Sequence, residues 1–82
     1  LRAFDDKLDQ EADRIALYML ARAGLSPSIA VDTLERLARR YPATVLSSYT
    51  ALHPWTEDRK RQMVDTIAEI RKKQTSKKSL VP

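Results

Sequence analysis

Two aspartates four residues apart, Asp9 and Asp13, and the single histidine, His53, are the side chains of this sequence best suited to acid–base or metal chemistry. On a helix turning about 100° per residue, both carboxylates project from neighbouring turns toward one side, and Asp5 lies on the same line one turn earlier. Neither Asp9 nor Asp13 has a Lys or Arg three or four residues away. Adjacent like charges on a helix cost roughly 0.2 to 0.5 kcal/mol per pair, so a group from elsewhere in the fold is needed to make the arrangement tolerable. Acids early in a helix can instead simply complement the positive end of its dipole. Asp13 lies too deep for that account. His53, placed before a proline in a long connection, reads by itself as a hydrogen-bonded or exposed side chain.

Other chemistries lack their residues. The absence of cysteine excludes a thiolate metal site, nothing in the pattern justifies a Ser-His-Asp arrangement around the one histidine, and no Gly-rich phosphate loop or RNA-binding signature is present. A catalytic zinc requires three protein ligands, an open position for water and a general base. The sequence holds no H-E-x-x-H motif to supply them.

The elements that must position these groups are helical. The spacing predicts an all-α chain of three main helices over about 2–23, 27–41 and 56–73. The one glycine, Gly24, suits a left-handed cap at the end of the first helix, and Ser26-Pro27 reads as an N-cap followed by proline at the first position of the second. In the first helix, Leu8, Ala12, Ile15, Ala16, Met19, Leu20 and Ala23 form the expected buried face, with Asp9 and Asp13 on its edge. Lys7, Glu11, Arg14 and Tyr18 lie opposite. The second helix carries Ala30, Val31, Leu34, Leu37, Ala38 and Tyr41 on one face, and its short link to the first predicts an αα-hairpin. Residues 42–55 form an apolar, irregular connection. Thr56 is a suitable N-cap for the third helix, whose stripe is Met63, Val64, Ile67, Ala68 and Ile70. Trp55 beside it reads as a core or staple residue, with stacking on a partner as the alternative. Residues 74–82 are expected to be a disordered tail.

Two blocks carry a family resemblance. The run from Glu11 to Gly24, EADRIALYMLARAG, continuing through Ser26-Pro27 to Leu37, resembles the M48 zinc metallopeptidases downstream of their catalytic helix. Thr50-Ala51-Leu52-His53-Pro54 through Arg59 resembles the Thr-x-x-His-Pro region of the same family. The likeness spans roughly residues 8 to 70. It implies that 1–73 is the helical C-terminal part of an M48-like peptidase domain, a fragment of an α+β zincin-like fold. It further implies zinc as the cofactor of the intact parent, with Asp9 at the third metal-ligand position and Asp13 in the supporting shell. His53 would lie near the metal or substrate, and Arg59 would pin the third helix by an ion pair. Asp9 departs from the family's Glu, and its stem is one methylene shorter. The implied parent is a zinc metalloendopeptidase hydrolysing a peptide or protein substrate, with a bacterial cell envelope or periplasm as its setting. Its upstream catalytic segment is this chain's implied partner. Without that segment, the chain is expected to be inactive and to bind no zinc tightly.

Composition sets the remaining alternatives. A hydrophobic share of 43% with 32% charged residues describes a globular chain, not a disordered or membrane-spanning one. A sequence beginning at Leu1 is expected to be a piece of a longer protein. Should the chain act by itself, a helical protein–protein interaction module is the alternative function, and self-association through exposed apolar surface is anticipated. The net charge of +4 gathers at Arg71, Lys72, Lys73, Lys77 and Lys78. Such an end can attract phosphates or anionic lipid but more often is a solvated terminus, and the acidic first helix counts against both nucleic acid and an anionic membrane as partners.

Overall fold

The computed structural model describes residues 6–40 and 55–82, and all regular structure among them is helical. Helix α1 covers Asp6–Arg22, α2 Ser28–Arg40 and α3 Glu57–Thr75. The connection 41–54, with His53, lies outside the described residues, as do residues 1–5.

Local chemistry accounts for the boundaries. Gly24 adopts φ 82°, with its amide donating to the Ala21 carbonyl at 3.0 Å and the Leu25 amide donating to Leu20 at 3.0 Å. These are the paired bonds of a Schellman cap. A Cβ at Gly24 would meet open space, so the left-handed backbone and not crowding favours glycine here. The Ile29 amide donates to the Ser26 carbonyl at 3.1 Å, and α2 starts one residue beyond Pro27. At α3 the Thr56 hydroxyl accepts from the Arg59 amide at 3.1 Å, with Glu57 and Asp58 in the first turn and Lys72 and Lys73 in the last, as the dipole favours.

The core consists of Leu17, Tyr18 and Ala21 from α1, Val31 from α2, and Met63, Ile67 and Ile70 from α3. α3 packs along α1 and also against α2, whereas α1 and α2 barely touch. The expected αα-hairpin is therefore replaced by two helices that each lean on the third.

The buried face of α1 also differs from the expected one. Leu17 and Tyr18 are fully buried, whereas Leu8, Ile15 and Met19 are exposed. α1 is apolar on two arcs, since Ile15 and Leu17 lie about 200° apart. Asp13 and Arg14 flank the Leu17–Tyr18 arc, and both find charged partners on α3, which directs that arc inward. The end of the chain departs from a disordered tail as well. α3 continues to Thr75, Leu80 packs against the core, and Lys73 Nζ donates to the Val81 carbonyl at 2.6 Å.

Candidate functional site

Asp13 and Arg59, 46 residues apart, meet side-on. Arg59 Nε donates to Oδ2 at 2.8 Å and Nη2 to Oδ1 at 2.9 Å, with the two side chains only 13% and 15% exposed. This is the ion pair expected of Arg59. It supplies the cation that α1's own neighbours do not offer to the acid line, and charge-assisted bidentate bonds fix both groups in one orientation. The Arg59 guanidinium also lies 5.7 Å from the Trp55 ring centroid. Trp55 itself is partly buried against the core.

Asp9, one turn before Asp13, is half-buried. A groove of about 300 Å³ runs between α1 and α3, with Gln10, Asp13 and Arg14 on one wall and Gln62, Met63 and Thr66 on the other. No group of three or more His, Cys, Asp or Glu side chains among the described residues is placed to hold a metal ion. Asp9 and Asp13 form no such group with another of these side chains among the described residues. His53 belongs to the residues outside the description.

A second polar cluster lies farther along the same helices. Arg14 donates to both carboxylate oxygens of Glu69, at 3.0 and 2.7 Å, and the buried Tyr18 hydroxyl donates to the same carboxylate. Lys73 Nζ stands 3.6 Å from Glu69 and 4.8 Å from the Tyr18 ring centroid, with Arg14 5.4 Å from that ring. The Arg14 bonds foremost, then the Tyr18 bond, hold the Glu69 carboxyl down at about 2, against the opposing effect of desolvation. The same contact raises the Arg14 guanidinium. Sequence patterning placed Arg14 and Tyr18 on a solvated side. Their i, i+4 spacing, matched by Glu69 and Lys73 on α3, was the available signal.

α2 is tied in by Glu35, which pairs with Lys60 of α3 and stands 3.8 Å from Arg39. The Lys60 contact lowers the Glu35 carboxyl and raises the Lys60 ammonium. No helix among the described residues is long and apolar enough to cross a membrane.

No family model, curated protein or solved structure matches the chain.

Proposed function

We propose that this chain is the segment downstream of the catalytic helix in an M48-like zinc metalloendopeptidase, contributing Asp9 as the third metal ligand and Asp13 as the supporting carboxylate. The observation that carries this reading is the Asp13–Arg59 pair. Its partners come from the two separate blocks that resemble the family, the E-A-D-R run and the His-Pro block, and a chance likeness in letters gives no reason for them to meet.

A catalytic zinc needs three protein ligands, and the described residues offer no such set. Bound in the parent, zinc would supply an activated water for peptide hydrolysis. The chain's own contribution is orientation. Arg59 clamps Asp13 from α3, which fixes the register of the turn that carries Asp9.

The coding sequence upstream of Leu1 gives the direct test, and an H-E-x-x-H motif some tens of residues earlier is the expected result. In the restored protein, Asp9→Ala should abolish zinc retention, and Asp9→Glu should raise peptidase activity by returning the missing methylene. Tight stoichiometric zinc binding by the chain alone, or an upstream sequence without the motif, would overturn the reading.

A second reading, a helical interaction module, draws on the exposed Leu8, Ile15 and Met19 of α1. A strict monomer at all concentrations in sedimentation velocity would count against it.

A further inference from the structure

The end of the bundle remote from Asp9 and Asp13 concentrates positive charge. α1 and α3 run in the same sense, because Asp13 meets Arg59 whereas Tyr18, farther along, meets Glu69 and is faced by Lys73. The last turns of both helices and the α1–α2 link therefore share one end. Arg22, Arg71, Lys72, Lys77 and Lys78 are exposed there, and none pairs with an acid of the described residues. The opposite end mixes signs, with Glu57 and Asp58 beside Lys60 and Arg61.

The turn that gathers these cations is held in place. The Lys78 amide donates to the Lys73 carbonyl at 2.8 Å and the Lys77 amide to Gln74 at 3.2 Å, repeating the cap seen at Gly24. At the position where α1 uses glycine, α3 keeps a lysine at φ 56°, a conformation that side-chain-bearing residues adopt at a cost. Leu80 on the core and the bond from Lys73 to Val81 then fasten the segment that follows. Lys77 and Lys78 are thus presented by a folded turn, and Leu25, in the cap that ends α1, and Val81, bonded to Lys73 near the end of α3, are exposed.

We propose that this end is a docking surface for an anionic lipid bilayer. The cations would meet lipid phosphates, and Leu25 and Val81 would enter the headgroup boundary, leaving the acid pair of α1 facing away from the membrane. Nucleic acid fits less well. The exposed apolar side chains here are aliphatic and offer bases nothing to stack on, while Tyr18 is buried and Trp55 stands beside Arg59. The proposal does not depend on the peptidase reading.

Co-sedimentation with vesicles of phosphatidylcholine containing phosphatidylglycerol tests it, with pure phosphatidylcholine vesicles and duplex DNA as comparisons. Binding to the anionic vesicles alone, lost as salt is raised, is the expected result. Each lysine near a charged bilayer contributes a several-fold gain in partition, so Lys77→Gly with Lys78→Gln should weaken binding about 30-fold. Lys77→Gly alone should keep or raise the melting temperature, which separates lost docking from lost folding. Equal binding to neutral vesicles, tighter binding to DNA, or a double variant that partitions like the wild type would overturn the proposal.

Discussion

Removing Arg59 leaves a carboxylate that is 13% exposed without its two strongest donors, and the cost can be bounded from the geometry. An exposed ion pair contributes about 0 to 1 kcal/mol. Breaking a fully buried one costs about 3 to 5 kcal/mol. With both partners mostly covered and bonds of 2.8 and 2.9 Å, the Asp13–Arg59 pair lies between these limits, so a coupling of about 2 kcal/mol is expected. The assay is urea unfolding followed by circular dichroism for the wild type, Asp13→Asn, Arg59→Gln and the double variant. The cycle cancels the loss of the Arg59 contact over Trp55, which both arms of the Arg59 substitution share. For a domain of this size, losing about 2 kcal/mol moves the urea midpoint by about 1 to 2 M. It also removes a large share of a total stability of about 4 to 12 kcal/mol. A coupling no greater than about 0.3 kcal/mol would refute the reasoning, because the pair would then act as a solvated surface contact.

Two further outcomes follow from the packing and the second polar cluster. The Glu69 carboxyl is held at about 2 when folded against 4.5 ordinarily, so its stabilisation is fully present above pH 4.5 and is lost as the pH falls toward 2. Because its side chain is 38% exposed, screening reduces the contribution to about 1 kcal/mol. Glu69→Gln should therefore lower stability by about that amount at neutral pH and flatten the acid limb of a stability-against-pH curve; an unchanged limb would remove Glu69 from the account. On α1, Leu17→Ala should cost about 2 to 4 kcal/mol and Ile15→Ala less than about 0.5 kcal/mol in thermal or urea unfolding. The reverse order would place the core on the other arc.

The helix boundaries were legible because each depends on a few neighbouring residues. Gly24 ends α1 through its own backbone, and Thr56 opens α3 through a bond to the residue three places on. The face of α1 was not legible. With Leu8, Ile15 and Met19 on one arc and Leu17, Tyr18 and Ala21 on the other, periodicity offers two comparable faces. The choice falls to Asp13 and Arg14, whose partners Arg59 and Glu69 lie 46 and 55 residues away. The polar run after Gln74 reads as a fraying end because composition does not reveal that Leu80 reaches the core. Of the candidate site, an ion pair at Arg59 was expected from the family likeness, but its partner was not named, since spacing within α1 showed only a cation missing nearby.

The slight contact between α1 and α2 bears on how the molecule is made. Because α3 holds both, α1 and α2 have, among the described residues, almost nothing to fasten them together until α3 has been synthesised. Consolidation waits for the last third of the sequence and for the closure of long intervening segments, a topology that slows folding and prolongs the exposure of apolar side chains. Truncation before Glu57, which removes α3 whole, should accordingly leave α1 and α2 as isolated and marginal helices.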